Sequence, residues 1–71
     1  MAVLTKTGEQ LVRKLKGIWN DYDFVVGVMS YLKTDEERQI LIDGIDAGLL
    51  TTDEEIVLFA LDIHQEREGK A

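Results

Sequence analysis

The sequence contains no cysteine and no proline, and it has a single histidine among its 71 residues. Without cysteine, the chain can form no disulfide and no thiolate metal site, and it has no thiol nucleophile. Its apolar runs fall well short of the roughly 18 to 20 residues that a membrane-spanning helix needs. Residues 1–6 also lack the longer apolar stretch of a secretory signal. These absences predict one small cytoplasmic domain, residues 1–71, with residues 1–6 and 70–71 disordered.

Aromatic residues are few as well, at 7% of the chain, but hydrophobic residues make up 45% and charged residues 31%. This balance is too apolar for a disordered chain and favours a globular fold. A domain of this size buries only about 60% of the surface of its unfolded chain, so one thin core must stabilise it.

Acidic side chains outnumber basic ones by 14 to 8, which gives a formal net charge of -6. The charge is unevenly distributed: residues 1–20 contain four cations and one acid, whereas residues 21–71 contain four cations and 13 acids. We expect the basic and acidic parts to complement each other, within the fold or between subunits. The alternative is that a basic face on the first helix, formed by Arg13, Lys14 and Lys16, contacts an acidic or phosphate-rich partner.

Hydrophobic periodicity predicts an all-α fold, a compact bundle of four short helices at residues 8–20, 22–33, 35–47 and 53–68. The connections between them are short, which predicts that successive helices pack antiparallel. In the second segment, three valines and an internal glycine would also suit a strand. Because that segment lacks regular alternation and lies between helical neighbours, we favour a helix there.

Signals for the starts of helices are frequent in this chain. Thr7 is the predicted N-cap of the first helix, and Asp21 or Asp23 that of the second. The tetrapeptide Thr-Asp-Glu-Glu occurs twice, at residues 34–37 and 52–55. Each copy predicts a capping box, with acids in the first turn that favour the positive end of the helix dipole. Most of the carboxylates are therefore explained by capping, without a role in acid–base chemistry.

The first and third helices each have an apolar face that should enter the core. Trp19 lies on the face of the first helix, and we expect it to anchor the core. On the third helix, a glycine shares the apolar face, where it would let a neighbouring helix approach closely. That face comprises Ile40, Leu41, Gly44 and Ile45. Gly48 is the predicted C-terminal stop of the same helix.

The second and fourth segments are apolar on more than one face, which is more than a one-sided amphipathic helix requires. One explanation is that these helices are surrounded by others within the bundle. The other is that part of this surface is an interface, for which the second face of the second helix, Tyr22, Val26 and Met29, is the candidate. Because small domains often complete a core by self-association, this face predicts a homodimer or another protein partner.

The sequence offers little that could perform catalysis or bind a metal or cofactor. His64 has no acid on its own helix face except Glu68, four residues later, so we expect a half-buried or surface residue with a structural role. A calcium loop starting at Asp21 would need glycine and glutamate where the chain has Val26 and Leu32. There is no glycine-rich phosphate loop. We therefore predict no enzyme activity, no cofactor, no metal and no small-molecule substrate.

Three functions are consistent with these observations. The first is a protein–protein interaction or self-associating module that acts through the surplus apolar face. The second is a nucleic-acid accessory protein that uses Arg13, Lys14 and Lys16, although even the four cations of residues 1–20 are few for such a contact and the overall charge repels phosphate. The third is an acidic inhibitor or antitoxin-like protein that binds a basic partner. We favour the first.

Overall fold

The computed structural model describes residues 5–69. They form four helices, α1 (Lys6–Ile18), α2 (Tyr22–Tyr31), α3 (Asp35–Asp46) and α4 (Asp53–Gly69), with no strand in that part of the chain. The predicted all-α bundle is confirmed, and each helix lies within two residues of its predicted bounds. The strand alternative for the second segment is wrong, because α2 is helical throughout.

The start of α1 differs from the prediction. Thr5, and not Thr7, is the N-cap, since the Thr5 hydroxyl accepts a hydrogen bond from the Gly8 amide at 3.0 Å. The same hydroxyl donates to the carboxylate of Asp35 at 2.7 Å. This second contact joins the start of α1 to the start of α3, and no local sequence pattern reports it. Lys6, expected in a disordered segment, is therefore the first residue of α1; residues 1–4 and 70–71 lie outside the described residues.

The end of α1 also comes earlier than predicted. The helix ends at Ile18, and Trp19 has an extended backbone whose amide still donates to the Leu15 carbonyl at 2.9 Å. Because Trp19 leaves the helix, it no longer continues the apolar face, and it is 50% exposed. The prediction that Trp19 anchors the core is wrong. Asp21 then caps α2, with its carboxylate accepting from the Phe24 amide at 3.1 Å.

Both copies of the Thr-Asp-Glu-Glu tetrapeptide form the predicted capping boxes. The Thr34 hydroxyl accepts from the Glu37 amide, while the Glu37 carboxylate accepts from the Thr34 amide. Thr52 and Glu55 exchange the same pair of hydrogen bonds, each 3.2 Å long. Glu37 also accepts from the Lys33 amide at 2.7 Å. That bond helps explain why α2 ends at Tyr31, two residues earlier than predicted, since the chain up to Thr34 is held by the box.

Gly48 is confirmed as the C-terminal stop of α3: it follows the C-cap, Ala47, and has a left-handed backbone with φ of +79°. The Gly48 amide donates to the Ile45 carbonyl at 3.1 Å, and the Leu49 amide donates to the Gly44 carbonyl at 3.0 Å. This pair of bonds is a Schellman motif. A β-carbon on Gly44 would lie 2.9 Å from a methyl carbon of Leu50. The close approach at Gly44 is thus to the α3–α4 connection and not, as predicted, to a neighbouring helix.

The core takes residues from all four helices. Ile40 was expected to join it but is 50% exposed, whereas Leu41 and Ile42 are buried. At about 100° per residue, a helix that buries Leu41, Ile42 and the partly buried Ile45 turns Ile40 outward. The fully or nearly fully buried hydrophobic residues are Leu11, Leu15, Val25, Val28, Leu32, Leu41, Ile42, Ile56 and Ala60.

The closest helix packing joins alternate helices. α1 packs mainly against α3, and α2 mainly against α4, while the α1–α2 and α3–α4 contacts are smaller. The short connections had predicted antiparallel packing of successive helices, and the more extensive contacts instead join helices that are not successive. Because α1 and α2 pack against each other less extensively, a groove is left between them.

Candidate functional site

The predicted interface face of α2 is largely exposed. Tyr22 is 81% exposed, and Val26 is 45% exposed. The two residues are one helical turn apart, so they lie on the same outward stripe, while Val25 beside the stripe and Val28 on the far side of α2 are buried. A tyrosine and a valine exposed on one helix face form an apolar surface that the described part of the bundle does not cover.

The third member of that predicted face, Met29, behaves differently. Its side chain is only partly exposed, and it packs against the edge of the core. Trp19, which sequence reasoning assigned to the core, is half exposed in the α1–α2 connection. The exposed apolar residues in this region are therefore Trp19, Tyr22 and Val26. Trp19 was missed because its helical phase was assumed to continue past Ile18.

A groove of about 360 Å³ lies beside this stripe, between α1 and α2. Its apolar lining comes from Val12 on α1 and from three α2 residues. Its polar rim comes from the end of α1 and the connection to α2. The lining residues are Val12, Lys16, Asn20, Asp21, Tyr22, Val25 and Val26. We call this feature the α1–α2 groove.

The two charged residues on the rim of the α1–α2 groove have no ionic partner within residues 5–69. The ion pairs there join Lys14 to Asp46, Arg38 to Asp35, and Arg67 to both Glu37 and Glu68. Neither Lys16 nor Asp21 takes part in any of them. Asp21 uses one carboxylate oxygen to cap α2. The groove thus combines an apolar lining with one cation and one anion that no residue between Thr5 and Gly69 neutralises.

The structure does not bring the three predicted basic residues to one surface. Lys14 pairs with Asp46 on α3, with 2.6 Å between the ammonium nitrogen and the carboxylate oxygen. Arg13 and Lys14 line a second, open groove of about 420 Å³ between α1 and α3, together with Asp46 and uncharged side chains. Lys16 lines the α1–α2 groove instead. A phosphate-rich partner would therefore find these cations divided between two grooves, with one of them already paired.

His64 is half-buried, as expected, but its contacts differ from the prediction. Its Nδ1 atom lies 3.0 Å from a guanidinium nitrogen of Arg67, and its ring is 5.5 Å from that of Tyr31, measured between centroids. Glu68, the predicted partner of His64, contacts Arg67 at 3.4 Å. The guanidinium group of Arg67, which lies beside His64, also contacts the carboxylate of Glu37.

Arg67 joins the C-terminal end of α4 to the connection between α2 and α3. One guanidinium nitrogen donates to both carboxylate oxygens of Glu37, at 2.5 and 2.6 Å, and another donates to the Tyr31 carbonyl at 3.2 Å. Burial alone would raise the pKa of Glu37, but hydrogen bonds from the Lys33 amide and from Arg67 outweigh it and lower this pKa below its ordinary value. The Glu37 carboxylate likewise raises the pKa of Arg67. The cluster connects the end of α4 to the end of α2 and to the first turn of α3.

No arrangement for metal binding is present between Thr5 and Gly69, since no three histidine, aspartate or glutamate side chains in that range converge on one point. Within the same range, no helix is both long and apolar enough to cross a membrane. Of the surfaces that these residues form, the α1–α2 groove best combines exposed apolar area with charges that have no partner among residues 5–69.

Comparison of the chain with protein-family models, with curated proteins and with solved structures finds no significant match. The function must therefore be inferred from the surface of this molecule.

Proposed function

We propose that this protein is a protein–protein interaction module and that the α1–α2 groove is its contact surface. The observation that carries the proposal is the exposure of Tyr22, at 81%, on a helix whose opposite side forms the core. Tyrosine combines a flat apolar ring with a polar hydroxyl, and it is one of the residue types that contribute most to protein interfaces.

The surroundings of Tyr22 support the same function. Val26 extends the apolar stripe by one helical turn, and Val12 and Val25 line the groove beside it. Lys16, Asn20 and Asp21 surround this apolar lining with polar groups. An apolar centre with a polar rim is the usual composition of a protein interface.

Other exposed apolar residues lack such surroundings. Ile40 on α3 is exposed on the outside of the helix and lines neither of the two grooves described above. Single exposed hydrophobic residues are normal on protein surfaces and need no partner. Ile40 therefore provides a matched control for Tyr22, as an exposed hydrophobic residue on a different helix.

Photo-crosslinking in the source cell tests the proposal for a protein partner of any identity. Benzoylphenylalanine is incorporated in place of Tyr22 in one sample and in place of Ile40 in another, and the adducts are treated separately with protease and nuclease. We expect protease-sensitive adducts of defined mass from position 22 and none of that mass from position 40. Nuclease-sensitive adducts, identical adducts from both positions, or no adduct from position 22 would each contradict the proposal.

A further inference from the structure

The α1–α2 groove carries features that specify its partner. We propose that it binds the same groove of a second copy of this chain, in a twofold-symmetric dimer; this inference rests on the proposed function above. Three observations lead to this arrangement: the charges on the rim, the protruding tyrosine beside the groove, and the absence of net charge on the groove lining.

The rim charges are self-complementary. Lys16 and Asp21 both line the groove, and neither has an ionic partner within residues 5–69. In a twofold interface, any contact between one residue and a second residue of the partner occurs twice. Lys16 can then pair with Asp21 of the partner subunit, while Asp21 pairs with Lys16 of the partner subunit. A partner with charge of only one sign would instead meet a like charge at one of the two positions.

The shape of the surface suits the same symmetry. Tyr22 protrudes beside a groove of about 360 Å³, which is large enough to admit an aromatic side chain. A twofold axis next to Tyr22 presents the tyrosine of each copy to the groove of the other. Its ring would then contact Val12 and Val26 of the partner subunit and remove the exposed stripe from water.

The charge on the groove also permits contact between two copies. Two copies with a net charge of -6 repel each other, and this repulsion is smallest where the surface is least acidic. The α1–α2 groove carries no net charge, since its lining contains one cation, Lys16, and one anion, Asp21. Two such grooves can therefore meet without adding to the repulsion between the molecules. Because the exposed apolar stripe consists of only two residues, Tyr22 and Val26, we expect a weak dimer, with a dissociation constant of about 10 to 100 μM.

A charge-swap experiment tests the dimer, with sedimentation equilibrium as the measurement. In K16E alone, the new glutamate faces Asp21 of the partner subunit, and in D21K alone, the new lysine faces Lys16 of the partner subunit. We expect each variant to dimerise at least about tenfold more weakly than the wild type. An equimolar mixture of the two restores one pair of opposite charges at each contact, so it should form a heterodimer more tightly than either variant dimerises alone.

Asp21 also caps α2, so a second design retains the cap. Asparagine is as good an N-cap as aspartate, and the double variant K16E/D21N removes the repulsion present in K16E. We expect it to dimerise several-fold more tightly than K16E, and circular dichroism confirms that both are folded. As a matched control, Ile40→Glu should leave the dimer unchanged.

Several results would overturn the inference. One is a wild-type protein that is monomeric up to about 1 mM; another is a dimer that K16E does not weaken. The proposed ion pairs would be excluded by two results together: the mixture of D21K and K16E associates no more tightly than either variant alone, and K16E/D21N dimerises as weakly as K16E. If the wild type is monomeric but the position-22 crosslinker captures a different protein, the second copy is excluded and the interaction function is supported. If position 22 captures nothing, both proposals fail.

Discussion

At the scale of single residues, Arg67 has the widest structural reach in the described part of this molecule. It belongs to the last turns of α4, yet it contacts Glu37 in the first turn of α3 and the carbonyl of Tyr31 at the end of α2. Glu37 in turn holds the amides of Lys33 and Thr34. Removing the charge of Glu37 should thus affect three helices at once, and its effect should depend on pH.

Burial opposes the charged form of Glu37, but the Lys33 amide and Arg67 outweigh burial and lower the pKa of this residue in the folded state. A lowered pKa means that the unfolded chain binds the proton more readily. The stabilisation is therefore complete above the ordinary glutamate pKa of about 4.3 and is lost as the pH falls below it. The pKa of Asp35 is lowered as well, by hydrogen bonds from Thr5 and Arg38. Hydrogen bonds from Thr51 and Thr52 lower the pKa of Glu55. Both carboxylates therefore make stability depend on pH in the same direction as Glu37.

We expect Glu37→Gln to make the protein less stable at pH 7 and to reduce the loss of stability between pH 7 and pH 3. Glutamine can still form the capping box, so the variant isolates the charge interaction with Arg67. Urea denaturation at the two pH values measures the effect. The control is Glu36→Gln, a neighbour in the same turn. An acid-induced loss of equal size in the wild type and in Glu37→Gln would contradict this role for Glu37.

At the scale of helices, threonine and aspartate side chains cap the N-terminal ends by accepting hydrogen bonds from backbone amides, and the amide of Gly48 donates a hydrogen bond at the C-terminal end of α3. The N-cap of α1 is Thr5, where the sequence predicted Thr7. We expect Thr5→Ala to lower the free energy of unfolding by about 1 kcal/mol, because the Gly8 amide loses its acceptor. Thr7→Ala should change it by less than about 0.5 kcal/mol. Thermal or urea denaturation compares the two, and a larger effect at Thr7 would place the cap there.

The C-terminal end of α3 offers a second comparison at this scale. Gly48→Ala should destabilise the protein by about 1 to 2 kcal/mol, because an L-residue is strained at φ of +79°. Gly27 lies within α2, where a β-carbon would meet no other atom within 4 Å. Gly27→Ala should therefore stabilise the protein by up to about 1 kcal/mol through helix propensity. Equal effects of the two substitutions, measured by urea denaturation, would contradict the assigned end of α3.

Local signals explain which parts of these helices could be predicted. The capping boxes at Thr34 and Thr52 and the stop at Gly48 depend on residues within a few positions, so the sequence reports them directly. The end of α1 at Ile18 has no such signal, and Trp19 was consequently assigned to the core. Contacts between residues that are far apart in the sequence could not be predicted. Thr5 contacts Asp35, and Arg67 contacts Glu37, and the residues of each pair are 30 positions apart.

The candidate site was predicted in part, because some of its features depend on the spacing within one helix and others on the packing of two helices. Tyr22 and Val26 were recognised because a second apolar face on one helix is visible in the spacing alone. The groove beside them could not be predicted, since it depends on how α1 and α2 pack. Helix geometry alone places Lys14 and Lys16 about 200° apart around α1. The pairing of Lys14 with Asp46, in contrast, depends on the position of α3 and could not be predicted.

At the scale of the whole molecule, the bundle is held by a core of buried hydrophobic residues, and α2 still exposes an apolar stripe. The Lys14–Asp46 ion pair links the basic helix α1 to the acidic helix α3. Beside the stripe, Lys16 and Asp21 have no ionic partner among residues 5–69. This combination is the physical basis for assigning the α1–α2 groove to contact with a second copy.

The most direct test of that claim is the concentration dependence of the amide chemical shifts, measured by heteronuclear NMR from about 10 μM to 1 mM. A twofold dimer through the α1–α2 groove predicts that Lys16, Tyr22 and Val26 shift together along one binding curve. Ile40 on α3 and Leu58, an exposed residue of α4, should stay constant. Shifts centred on Ile40 or Leu58, or no concentration dependence at any residue, would contradict it.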